Sequence, residues 1–172
     1  MPMKILHVGK FWPGKGGMER MMYDIVQGFS SKGYRCDLLC AAADGASDVY
    51  TLNDNGKIMC TPTWFTVAAT KITPAMIWKL RRICNEYDIL HIHHPDPMAN
   101  LALLTSGFKG KVVLHWHSDI LKQKNLLKIY KPLQDWMIRR ADLVVGTSPV
   151  YLKESPHLTE ASGKMACLPI GV

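Results

Sequence analysis

The chain reads as an α/β protein built on a Rossmann-like, doubly wound parallel sheet, and three observations predict it. Strand-like apolar segments alternate with helical patterns along all 172 residues. Segments such as Leu38-Leu39-Cys40-Ala41 and Leu143-Val144-Val145 are apolar on both faces, as buried parallel strands must be. A glycine-rich turn directly follows the first strand, where doubly wound sheets place their ligand crevice.

Taken in order, residues 4–9 form the first strand. Met18, Met21, Met22, Ile25, Val26 and Phe29 then recur at helical spacing, until Ser30-Ser31-Lys32-Gly33 ends the helix. Residues 34–42 return as a strand. The stretch 43–73 is the least regular: two turn signals, Asp44-Gly45 and Asn53-Asp54-Asn55-Gly56, a short strand near 57–60, and Trp64 and Phe65 in no clear period. Pro74 suits the first position of a helix running to Tyr87. Four more strands follow, at 88–93, 111–116, 141–145 and 164–168. Helices at 97–106, 125–140 and 149–155 separate them, and Pro132 is expected to kink or split the second. With the strands numbered along the chain, the expected sheet order is 3-2-1-4-5-6.

Composition narrows the function classes. The hydrophobic fraction of 48% and charged fraction of 20% describe a globular chain. No apolar run approaches the ~18 residues of a membrane span, and Met1-Pro2-Met3-Lys4 lacks the features of a signal peptide. A cytoplasmic location is expected. Five cysteines, odd in number and without a C-x-x-C pair, argue against a disulfide or zinc framework. The net charge of +7 is concentrated in residues 109–140, with eight Lys/Arg against two Asp, which suggests an anionic partner or a solvated helix face.

The turn Gly9-Lys10-Phe11-Trp12-Pro13-Gly14-Lys15-Gly16-Gly17 contains two misleading matches. Gly9-x-x-x-x-Gly14-Lys15 begins like a P-loop, but Gly16 stands where a magnesium-holding Ser or Thr belongs. Gly14-x-Gly16 begins like a dinucleotide fingerprint, but Glu19 replaces the third glycine and the second strand ends without an acidic residue. Gly16-Gly17 does open a helix, where backbone amides favour a phosphate. The alternative is a loop that needs positive φ.

Five of the seven histidines fall at strand ends: His91, His93 and His94, then His115 and His117, followed by Ser118 and Asp119. No H-E-x-x-H or Cys/His spacing supports a metal site. His91 and His115, deeper in their strands, suit the core. His93, His94 and His117 suit polar contact with a ligand.

Five ordered segments resemble the N-terminal domain of family 4 glycosyltransferases of the GT-B fold, like those building bacterial polysaccharides with mannose or rhamnose. They are MKILHVGKFWPGKGGMERMMYDIVQGFSSKGYRCDLLCA, DILHIHHPDPMANLALL, VVLHWHSDILKQK, RRADLVVGTSPVYLKESPHL and CLPIGV. The resemblance implies a retaining transfer from a nucleotide-sugar (UDP- or GDP-sugar) in a cleft between two domains, without an essential metal. It implies that residues 1–168 are the acceptor-side domain and 169–172 begin a hinge. The donor-binding domain would be absent and the fragment alone inactive. It assigns His117 to catalysis, and Gly16, Gly17 and Ser148 to the donor and its phosphates. Glu19, His93, His94, Asp96 and Asp119 fall to the acceptor.

Lys124, Lys128 and Lys131 recur at i, i+4 and i+7 on one face of a helix, with Leu126, Ile129, Leu133 and Met137 expected toward the core. This basic face suggests a lipid-linked or saccharide acceptor, with peripheral contact at the inner face of the cell membrane. Trp64 and Phe65 could touch lipid, although at least one is expected to pack into the core. Two other readings are a non-catalytic Rossmann-like nucleotide- or sugar-binding module and a nucleic-acid binder. The second lacks the interleaved aromatics it needs.

Overall fold

Eight strands form one sheet, and seven of them run parallel. This computed structural model describes residues 3–14, 16–67, 69–119 and 124–169, without the side chains of Phe11 and residues 124–127. The strands are β1 (Lys4–Trp12), β2 (Arg35–Ala42), β3 (Asp48–Asn53), β4 (Gly56–Thr61), β7 (Ile89–His94), β8 (Lys111–Trp116), β9 (Leu143–Gly146) and β10 (Met165–Cys167). A separate hairpin pairs β5 (Phe65–Val67) with β6 (Thr70–Ile72). The helices are α1 (Gly17–Ser31), α2 (Pro74–Ile83), α3 (Pro97–Ser106), α4 (Lys124–Arg140) and α5 (Pro149–Glu154).

The expected order 3-2-1-4-5-6 is the observed run β4-β2-β1-β7-β8-β9, extended by β10 at one edge and antiparallel β3 at the other. Alternation along β1 explains why the sheet is covered on both faces. Leu6 and Val8 join one core with Leu90, Ile92, Leu114 and residues of α2, α3 and α4. Ile5 joins a second core with Leu38, Ile58 and the α1 residues Met22 and Val26.

Sequence signals fix the helix ends near the crevice. Asp96 accepts from the Met98 and Ala99 amides at 3.0 and 3.1 Å, which caps α3, and Pro97 occupies its first turn. Gly33, at φ 87°, closes α1. The helix at Pro74 stops at Ile83 and tightens into a 3-10 turn over Cys84–Glu86, short of the expected Tyr87. Pro132 does not split α4, which is continuous from Lys124 to Arg140.

Three further expectations need correction. The irregular stretch 43–73 holds β3 and the β5–β6 hairpin. Ile129, expected in the core, is 81% exposed; the buried face of α4 is Tyr130, Gln134, Met137 and Ile138. Trp64 and Phe65 both stay out of the core, at 70% and 55% exposure. No helix among the described residues is long and apolar enough to cross a membrane.

Candidate functional site

Parallel strands deliver their carboxyl ends to one edge, and four of them build the candidate site there. β1 ends in the glycine turn, β7 in His93-His94-Pro95-Asp96, β8 in His115-Trp116-His117, and β9 in Gly146-Thr147-Ser148.

The glycine turn is shaped around Glu19. A Cβ on Gly14 would lie 2.1 Å from Glu19 Cβ, and one on Gly16 would lie 2.4 Å from Glu19 Oε2. The first turn of α1 therefore carries this carboxylate folded back over its own start, a favourable position for negative charge. Around Gly17 nothing lies within 4 Å of a built Cβ, so its backbone is open to approach. Neither Gly16 nor Gly17 has positive φ, which removes the loop-strain alternative at these positions. Positive φ occurs earlier instead, at Gly9 (129°) and Lys10 (61°).

Lys10 was not singled out from the sequence. Its amide donates to Asp96 Oδ2 and its ammonium to the Pro95 carbonyl, so it ties the end of β1 to the end of β7. Burial pushes the Lys10 pKa down, against the pull of Asp96 and Glu19. Burial pushes the Asp96 carboxyl up, opposed by Lys10 and three backbone amides. Lys10, Glu19, Pro95 and Asp96 share a cleft of about 200 Å³ with Thr70 and Lys71 of the β5–β6 hairpin. A larger open hollow, about 590 Å³, lies by β3, β4 and α2 and is lined by none of the expected site residues.

The histidines follow strand register. His7 pairs with His91 across β1 and β7, and His93 with His115 across β7 and β8. Side chains of paired residues on parallel strands share a face. Three short contacts link the rings: His7 Nδ1 to His93 Nε2 at 2.9 Å, His93 Nδ1 to His117 Nε2 at 2.9 Å, and His91 Nε2 to His115 Nδ1 at 3.2 Å. His7 was not singled out from the sequence, because its neighbours are in register rather than nearby in the chain.

Depth within a strand did not decide exposure. His93 and His94 are completely buried, whereas His91 and His117 are half-buried. His94 points to the opposite face, stacked on Trp116 with ring centroids 3.8 Å apart and its Nδ1 3.3 Å from the Tyr130 hydroxyl. His93 and His94 thus support the site from within. Burial, with His115 and Lys10 adding to it, lowers the His117 pKa to about 3. Burial lowers His7 to about 3 and His115 to about 4. All three are neutral near pH 7.

Asp119 Oδ1 accepts from Trp116 Nε1 and Ser155 Oγ, each at 2.9 Å, which fastens the exit of β8 to the residue after α5. Asp96 is similarly committed to backbone amides. Ser148 stands at the start of α5 with no side-chain capping bond. The lysine face is only partly described: Lys124's side chain lies outside the described residues, Lys128 is exposed, and Lys131 pairs with Asp135 at 2.7 Å.

The model of glycosyltransferase family 4 matches residues 15–172. The chain belongs to that family. It is 30% identical to the O-antigen chain mannosyltransferase C of Escherichia coli, over 99% of this chain and 46% of the relative. It is 25% identical to the D-rhamnosyltransferase WbpZ of Pseudomonas aeruginosa, over 99% of this chain and 45% of the relative. This family 4 chain thus spans a little under half the length of these curated relatives. Among solved structures, sucrose-phosphate synthase from Thermosynechococcus elongatus superposes with a TM-score of 0.69 at 14% identity, covering 98% of this chain and 48% of that one. Anabaena Alr3699/HepE, solved in complex with UDP and glucose, superposes at 0.59 with 19% identity, covering 99% and 45%. The fold is the Rossmann-like architecture of a GT-B N-terminal domain.

Proposed function

We propose that this family 4 chain is the acceptor-side half of a retaining glycosyltransferase that moves a sugar from a UDP- or GDP-sugar to a lipid-linked or saccharide acceptor in polysaccharide synthesis. The family match carries the reading, supported by two relatives named for mannosyl and rhamnosyl transfer. On this reading residues 1–168 form one wall, a hinge begins at 169, a donor-binding domain completes the cleft, and this half alone is inactive. Residues 170–172 lie outside the described residues.

The geometry supports distinct roles. Nε2 of His117 is engaged by His93, which leaves Nδ1 for the cleft. If each neutral ring donates from Nδ1, protons point from His7 to His93 to His117, and His117 Nδ1–H donates to a sugar hydroxyl or donor phosphate. His117 is the catalytic residue in this proposal. The open amide of Gly17, with Gly16 beside it, approaches the donor phosphates, and the uncapped Ser148 hydroxyl joins them. Glu19 offers its carboxylate to acceptor hydroxyls in the cleft. His93, His94, Asp96 and Asp119 hold the acceptor wall in shape.

Exposed Trp64, Phe65 and Val67 on the hairpin, and Lys128 with Ile129 on α4, pair apolar with basic groups, as a peripheral membrane surface requires. Both elements flank α3. A panel of UDP- and GDP-sugars offered to the full-length protein with a lipid-linked saccharide tests the reading. The expected outcome is transfer with the donor's anomeric configuration kept; inversion, or no transfer from any donor, contradicts it.

A further inference from the structure

We propose that His93, His115 and His117 form a binding site for a divalent transition-metal ion of the zinc class, and that the ion, when bound, withdraws His117 from the cleft. Each of the three residues offers a ring nitrogen, and these nitrogens all lie within 4.8 Å of one another. A tetrahedral ion with ligands at about 2.0–2.1 Å needs nitrogens about 3.3 Å apart, so the set must close by no more than about 1.5 Å. Strand register holds His93 opposite His115, and the β8 exit brings His117 over its neighbour with ring centroids 4.1 Å apart.

A further observation points to a ligand. His115 Nε2 is completely buried and has no hydrogen-bond partner among the described residues, an unsatisfied nitrogen that a metal bond would satisfy. Access exists as well. α1 packs mainly on β1, β2, β3 and β4, and the same face stays half-open over β7 and β8 at His91 and His117. Imidazole ligands with one open position suit Zn²⁺, Co²⁺, Ni²⁺ or Cu²⁺ rather than Mg²⁺ or Ca²⁺. An overlapping set, His7, His91 and His93, shares His93, so the cluster takes one ion through that ring.

No sequence spacing announces this site, because its three ligands come from two strands and a loop. Withdrawal of His117 rests on the catalytic role proposed above; binding of the ion does not. Calorimetric titration of ZnCl₂ into tag-free protein separates the two. One ion should bind per chain, with CoCl₂ giving the visible spectrum of a tetrahedral imidazole complex. His93→Gln and His117→Asn should each weaken binding by at least about 100-fold, while His157→Asn, outside the cluster, should not. Should buried His93→Gln fail to fold, half-buried His117→Asn carries the comparison alone. Absence of zinc binding, or binding unchanged in a folded His117→Asn protein, overturns the proposal.

Discussion

Two glycines in one turn separate structure from function. Gly14 makes room for Glu19, whereas Gly17 faces open space. Gly14→Ala must therefore displace the Glu19 side chain and should lower the thermal midpoint. Gly17→Ala should not lower it, since nothing obstructs the added methyl and alanine suits a helix better than glycine. If donor phosphates approach there, the KM for nucleotide-sugar should still rise by about 10-fold in full-length Gly17→Ala enzyme. An unchanged KM would remove Gly17 from the donor site. Asp96 gives the opposite case. Its carboxylate is spent on the Lys10, Met98 and Ala99 amides, so Asp96→Ala should cost about 2 kcal/mol in urea unfolding, the scale of a lost cap with buried amides left unpaired. The resemblance gave Asp96 to the acceptor, although Asp-Pro ahead of an apolar helical run carries a capping signal. The tie to Lys10 was not legible, because it joins residues 86 positions apart.

At the scale of elements, periodicity located the helices well but misphased α4. Counting apolar residues selected Ile129 and passed over Tyr130 and Gln134. Tyr130 is buried because its hydroxyl reaches His94 and Asn100, a partnership no hydropathy pattern shows. β3 was missed for a related reason: this edge strand is largely exposed and has no buried face to produce alternation. The corrected phase of α4 sharpens the membrane prediction. Exposed Ile129 stands beside Lys128, while Lys131 is engaged by Asp135. Lys128→Glu combined with Ile129→Asp should reduce sedimentation with anionic vesicles several-fold, and Lys131→Gln should have the smaller effect. Equal binding of wild type to neutral and anionic vesicles would count against the surface.

For the whole molecule, the sheet order was legible from strand–helix alternation and the doubly wound pattern it implies. The histidine cluster was not, because register is a property of the assembled sheet. Its consequence is a pH dependence. His7, His91, His93, His94, His115 and His117 all have folded-state pKa values below the ordinary 6.5, chiefly through burial. Below pH 6.5 the unfolded chain therefore binds more protons than the folded one, down to about 3 for His7 and His117. Stability is complete above that range and is lost as pH falls through it. With a chelator present, the urea midpoint should be lower at about pH 5.5 than at about pH 7.5; equal midpoints would show that the rings are not held neutral by the fold.

The central claim is that His117, at the open end of the His7–His93–His117 chain, acts on the sugar being transferred. The most direct measurement is sugar transfer by full-length His117→Ala enzyme whose thermal midpoint matches wild type. Turnover should fall by about 100-fold or more. Wild-type turnover in that folded variant would contradict the account.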